Sequence, residues 1–171
     1  MKLRTASCSC GQLTVTTTGE PVRVSVCHCL ACQRRTGSVF AAQARFPRDS
    51  VQIQGDSSQY VRTGDEGSKV TFSYCPNCGA TVHYSVEGYD VSNIAIPVGA
   101  FADPTFPGPS ISVYEKRMHT WVKLPPDIEH MAYCRRCRLD SSAGLYWRHF
   151  LASRSGAPFS ASVHSRVVSR T

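Results

Sequence analysis

Nine cysteines stand in this chain of 171 residues, and the tightest group of them constrains the fold more than any other feature. Cys27, Cys29 and Cys32 fall within six consecutive positions and are followed at once by Arg34, Arg35 and Gly37. Residues two apart in an extended chain point to one face, so Cys27 and Cys29 share a side and Cys32 is placed to turn back toward them. Three sulfurs then converge on one point. Zinc takes four protein ligands where it is structural, and three plus an exchangeable position where it is catalytic. A local set of three therefore points toward chemistry.

Two further groups accompany it. Cys8-Ser-Cys10-Gly11 precedes it, and Cys75-Pro-Asn-Cys78-Gly79 follows it with the proline and glycine of a zinc knuckle. Cys8, Cys10, Cys75 and Cys78 would complete one closed four-sulfur site and leave Cys27, Cys29 and Cys32 as an open one. Spacing alone also allows Cys27 and Cys29 to join the knuckle. No apolar run follows the first residues as in a signal peptide, and no stretch approaches the roughly 20 apolar residues of a membrane helix. The chain is read as soluble and cytoplasmic. In a reducing compartment, an odd number of tightly spaced cysteines argues for metal over disulfides.

The elements expected around these groups are mostly β. Gln12 to Thr18 and Val22 to Val26 alternate apolar and polar residues with β-branched side chains, the pattern of half-buried strands. Ser38 to Ala44, Val51 to Ile53, Gln59 to Arg62, Lys69 to Tyr74, Ala80 to Val86, Val91 to Val98 and Ser110 to Tyr114 are read likewise. Turns are expected at 19–21, 45–49 and 55–57, and no sustained helical period is present before residue 131.

Charge divides the chain. Residues 1–131 hold 12 Lys and Arg against 11 Asp and Glu, whereas 132–171 hold 7 against 1. A nucleic-acid footprint would lie on the folded part as a basic face interleaved with aromatics; the near-balance there argues against such a partner. The tail, rich in Arg and Ser, has the composition of a disordered or loosely structured segment. Within it, Cys134-Arg-Arg-Cys137 looks like a metal pair, but no second pair is left to complete it.

Cys8-Ser-Cys10-Gly11, Cys27-His-Cys29-x-x-Cys32 with Arg34, Arg35 and Gly37, and Cys75-x-x-Cys78-Gly79, in that order, resemble the glutathione-dependent formaldehyde-activating enzyme family. That family is also called S-(hydroxymethyl)glutathione synthase-like and includes centromere protein V. The likeness spans roughly residues 6–131, including 94–101 and 115–124. It implies a β-tent fold of several short antiparallel sheets and two zinc ions per chain. The structural zinc would sit on Cys8, Cys10, Cys75 and Cys78, and the catalytic one on Cys27, Cys29 and Cys32. It also implies carbon–sulfur lyase chemistry that joins or cleaves glutathione and formaldehyde or a related aldehyde.

The donor set agrees with that chemistry. Three thiolates give zinc a formal net charge of −1 and match it to a further soft sulfur, a setting suited to a thiol substrate. Arg34 and Arg35 are the expected holders of glutathione carboxylates through forked hydrogen bonds, and Gly37 the residue that turns the backbone beside the site. His28 would face away from the sulfurs, and His83 is read as a packed histidine. Trp121, Tyr84 and Phe101 are assigned to the core. A second reading, a non-catalytic zinc-stabilised β module that binds a protein or nucleic-acid partner, draws only on the basic tail.

Overall fold

The structure, a computed structural model, describes residues 2–65, 67–88 and 91–133; Cys134, Cys137 and nearly all of the basic tail lie outside them. Along the chain the elements are β1 (Leu3–Ser7), β2 (Thr14–Thr18), β3 (Arg23–Cys27), α1 (Leu30–Thr36), β4 (Ala41–Pro47), β5 (Val51–Gln54) and β6 (Ser58–Thr63). They continue with β7 (Lys69–Tyr74), β8 (Thr81–Val86), β9 (Asn93–Pro97), β10 (Ile111–Val113) and β11 (Glu129–His130). Short 3-10 turns occupy Arg48–Ser50, Val98–Phe101 and Glu115–Arg117. The fold is mostly β.

Two sheets are formed, one of three strands in the order β1-β2-β5 and one of eight in the order β11-β10-β3-β4-β9-β8-β7-β6. Most pairings are antiparallel, but β10 runs parallel to both β3 and β11. The principal core lies between the sheets. Ala6, Leu13 and Val15 from the small sheet and its turn meet Val24, Ala44, Phe46, Val82, Ile94 and Ile96 from one face of the large sheet. Phe101 and Phe106 close the cluster, with ring centroids 4.6 Å apart. Period-2 alternation means that the residues between these core positions must face the other side of the large sheet.

Three local differences from the sequence reading have physical causes. β1 is not evident as a strand because one of its inward positions is Arg4, whose terminal nitrogens donate to the Gly19 carbonyl at 2.9 Å and to Glu20 at 2.6 Å and whose guanidinium lies over the Phe106 ring. Positions 45–47, expected in a turn, continue β4, and the turn proper is the 3-10 segment that follows. Finally, a helix does precede residue 131. With seven residues and no buried side chain, α1 is too short and too exposed to display a helical period.

Candidate functional site

α1 grows directly out of the three-cysteine group. Cys29, with φ −62° and ψ 146°, is its N-cap, and its sulfur accepts the Cys32 backbone N–H at 3.4 Å. A thiolate thus takes the place usually held by Ser or Asp. The cap bends the chain sharply enough that the sulfurs of Cys27, Cys29 and Cys32 all lie within 4.8 Å of one another. Gln33 anchors the helix: its Nε2 donates to the His28 carbonyl at 2.8 Å and the Arg117 carbonyl at 3.0 Å. Gly37 ends α1 at φ 67°, donating its N–H to the Gln33 carbonyl at 2.9 Å.

Thiol chemistry at this group is frustrated without a cation. The thiols of Cys27 and Cys32 donate to Cys29 and hold its pKa far below the ordinary thiol range, against the effect of burial. The same contact with Cys29, then Cys32 and burial, pushes Cys27 far upward. Cys29 is therefore the sulfur of the three that gives up its proton most readily. Cys27, Cys29 and Cys32 could hold a divalent ion, which would favour their thiolate forms.

The second group forms where two distant turns meet. Cys8 and Cys10 follow β1, Cys75 and Cys78 follow β7, and the four sulfurs lie within 4.8 Å of one another. Sulfur separations of 3.5 Å for Cys8 and Cys10 and 3.6 Å for Cys10 and Cys75 fit a tetrahedral zinc, whose bonds of about 2.3 Å set sulfurs about 3.8 Å apart. The Leu13 amide donates to Cys8 at 3.2 Å, and the Cys75 thiol meets Gln12 Oε1 at 3.3 Å. The two alternatives left open by spacing are separated here: Cys27 and Cys29 stay with Cys32, and the knuckle joins Cys8 and Cys10.

The face of the large sheet turned away from the core lines a cleft of about 1120 Å3. Cys27, Cys29 and Cys32 border it, and none of the other four cysteines among the described residues does. Phe72, Tyr74 and Tyr84 supply aromatic wall, with Phe72 and Tyr84 packed at 5.0 Å between ring centroids. Arg35 lies over both rings, at 5.0 Å and 5.5 Å, a cation–π arrangement that fixes a charged group beside Cys32. Arg34 also lines the cleft but is exposed, whereas Gly37 does not line it.

A family model described as glutathione-dependent formaldehyde-activating enzyme matches residues 3–117, more than half of the chain. The chain belongs to this family. No protein of curated function matches it. Among solved structures, a Rhodobacter sphaeroides protein from structural genomics is similar at 17% identity, covering 58% of this chain and 91% of that one with a TM-score of 0.46.

Other members of the cleft are invisible to motif reading. Arg23, Arg45 and Arg62 line it together with Arg34 and Arg35, against Asp65 as the one acid among the lining residues. The near-zero balance of the folded part conceals this concentration, because the compensating acids lie elsewhere. Alternation is the signal that finds it: Arg23, Ser25 and Cys27 share a face of β3, as Gln43 and Arg45 share one of β4.

Of the weaker candidates, His28 is fully buried, edge-on to Phe40 at 5.9 Å, and burial lowers its pKa. His83 is partly buried and does not line the cleft; burial, then Arg48, lowers its pKa. Phe101 is core, and Tyr84 is both buried and part of the cleft wall. Trp121 corrects its assignment. It is 66% exposed, edge-on to His119 at 6.1 Å, and the inward position of its turn is taken by the neighbouring Val122, which is buried.

Proposed function

We propose that this chain is a zinc-dependent carbon–sulfur lyase that joins or cleaves glutathione, or a similar thiol, and formaldehyde or a related aldehyde. Cys27, Cys29 and Cys32 would hold the catalytic zinc, and Cys8, Cys10, Cys75 and Cys78 a structural one. The observation that carries the reading is the position of the three-sulfur group on the cleft, while the four sulfurs of the other group have one another as neighbours and are not among the residues that line it. Zinc bound to three thiolates supplies a soft site at which a substrate thiol ionises near neutral pH.

The chain's own side chains do the rest. Arg35, held against Phe72 and Tyr84, and Arg34 at the end of α1 take a carboxylate of the thiol in forked hydrogen bonds. Gly37 contributes by ending α1 so that both arginines sit in its last turn. The aromatic wall excludes water, which strengthens those charged contacts. In the forward reaction the thiol sulfur bonds to the aldehyde carbon and the thiol proton ends on the new hydroxyl; the reverse reaction breaks the same carbon–sulfur bond. A reducing cytoplasm is the setting in which these thiols stay unoxidised.

Calorimetric titration of the zinc-loaded protein with glutathione and S-methylglutathione, in two buffers of different ionisation enthalpy, tests the reading. Glutathione is expected to bind more tightly and to release a proton, and Cys32→Ser to remove both differences. Equal affinity for the two ligands with no proton release would sink it.

A further inference from the structure

Four tyrosines line the cleft: Tyr60, Tyr74, Tyr84 and Tyr114. Tyr60 is 60% exposed and Tyr74 and Tyr114 are half-buried, whereas Tyr84 is 6% exposed. Its place in the large sheet accounts for the difference. Tyr84 stands on β8 between Ala95 of β9 and Phe72 of β7, and Arg45 of β4 pairs with the same alanine. The ring is fixed by Phe72 at 5.0 Å and by the Arg35 guanidinium at 5.5 Å. Arg35 follows Cys32 by three residues on α1, so the helix that assembles the sulfurs also covers this ring.

The hydroxyl is less provided for than the ring. No hydrogen bond among the described residues engages it, and the groups that act on it electrostatically are Arg45, Cys32, Arg35 and Cys27. Two of the four belong to the three-sulfur group. Burial raises the pKa of this phenol above its ordinary value, an effect that Cys32 and Cys27 reinforce and the two arginines oppose. The side chain is therefore a neutral donor near neutral pH, in surroundings where water competes little for its hydrogen.

Addition of a thiolate to an aldehyde needs such a donor. Negative charge develops on the aldehyde oxygen, and preorganised donors aimed at developing charge are commonly the largest single contribution to catalysis. A zinc that holds three thiolates and a substrate sulfur has its four positions filled, and Arg34 and Arg35 are assigned above to a carboxylate. The oxygen must find its donor elsewhere on the cleft wall.

We infer that the Tyr84 hydroxyl is a catalytic donor, which hydrogen-bonds the aldehyde oxygen while the thiol sulfur adds to the aldehyde carbon. As the carbon–sulfur bond forms, the carbonyl π electrons move onto that oxygen, and the proton given up by the thiol completes the new hydroxyl. Cleavage retraces the same steps. Tyr84 ends each direction with its own proton in place. The inference rests on the proposed function for the reaction and for the placement of the sulfur at Cys27, Cys29 and Cys32.

The test reads the hydrogen bond by binding as well as by rate. S-acetylglutathione carries an acceptor oxygen on the carbon bonded to sulfur, and S-ethylglutathione is of similar size without it. Tyr84→Phe removes the hydroxyl and keeps the ring that Phe72 and Arg35 touch, and circular dichroism establishes that the variant is folded. Calorimetry on the zinc-loaded proteins is expected to give wild type a several-fold preference for S-acetylglutathione. Tyr84→Phe should lose that preference while binding S-ethylglutathione as wild type does. The rate of carbon–sulfur bond formation from glutathione and formaldehyde, taken above the uncatalysed rate, should fall about 100-fold in kcat for Tyr84→Phe with KM for glutathione little changed. Tyr114→Phe, the comparison phenol, should lose a few-fold at most. No preference in wild type, a preference retained by Tyr84→Phe, or a larger rate loss in Tyr114→Phe overturns the assignment. So does equal weakening of both ligands, which would place the effect on the fold. A Tyr84-dependent preference in a wild type that does not accelerate the reaction would uphold the hydrogen bond and defeat the lyase reading.

Discussion

The two cysteine groups use the same donor atom and differ in what surrounds them. The four-sulfur group joins the turn after β1 to the turn after β7, positions separated by 65 residues between Cys10 and Cys75, and none of its cysteines lines the cleft. The three-sulfur group is local, assembled by one short helix, and opens on a basic, aromatic-walled cleft. A closed group that bridges distant chain segments acts on the folding equilibrium. An open group made within six residues adds little to folding and is free to be shaped for a ligand.

Substitution of one sulfur in each group is the strongest way to break that comparison. A structural zinc contributes roughly 10 kcal/mol or more to folding in small domains, which is as large as the whole stability of an ordinary domain. Cys75→Ser is therefore expected to yield unfolded or insoluble protein. Cys32→Ser should retain the far-ultraviolet circular dichroism and cooperative unfolding of the wild type while losing one bound zinc. A soluble, folded Cys75→Ser beside an unfolded Cys32→Ser would reverse the roles.

The next effect tests the four-sulfur side through a glycine. Gly55 has φ +95°, and a Cβ added to it would stand 2.0 Å from the Gln12 carbonyl oxygen. Gln12 is the residue whose side chain meets Cys75. Because a backbone atom blocks the new methyl, the Cys8–Gln12 turn would have to move. Gly55→Ala is expected to cost on the order of 3 kcal/mol or more, read as a lowered midpoint in denaturant and faster zinc loss to a chelator. An unchanged midpoint would mean that this turn is not under the restraint described.

What the sequence discloses follows the same division. Lys69–Tyr74 is legible to the residue, since β-branched alternation runs straight into the knuckle, and the cysteine groups are legible because metal ligands come with fixed spacings. The cleft is not. Its arginines sit on β3, β4, β6 and α1, so they become neighbours only when strand pairing is known, and their charge is nearly cancelled in the sum over residues 1–131. α1 is concealed by its length and by a cysteine acting as its cap. The exposed position of Trp121 is likewise a matter of tertiary context: in its turn Val122, not the tryptophan, takes the inward position.

On the three-sulfur side the expected effects are smaller. Gln33 ties α1 to both the His28 and Arg117 carbonyls, and its Oε1 lies 3.3 Å from His119 Nε2. Gln33→Ala removes these ties and should cost about 1–2 kcal/mol of stability. Because α1 carries Cys32 and Arg35, glutathione affinity should fall as well. Retained affinity would show that the caps alone position the helix.

The smallest effect sharpens the contrast between the two glycines. Gly37, like Gly55, has positive φ, but an added Cβ there would have nothing within 4 Å. Only the intrinsic strain of an L-residue in the left-handed region remains, about 1 kcal/mol. The hydrogen bond from its N–H to the Gln33 carbonyl is compatible with alanine, so α1 should still end where it does. Gly37→Ala is thus expected to lower stability by about 1 kcal/mol while leaving zinc content and glutathione affinity near wild type. If affinity instead falls tenfold with stability barely changed, Gly37 contacts the ligand by its backbone and belongs to the binding surface itself.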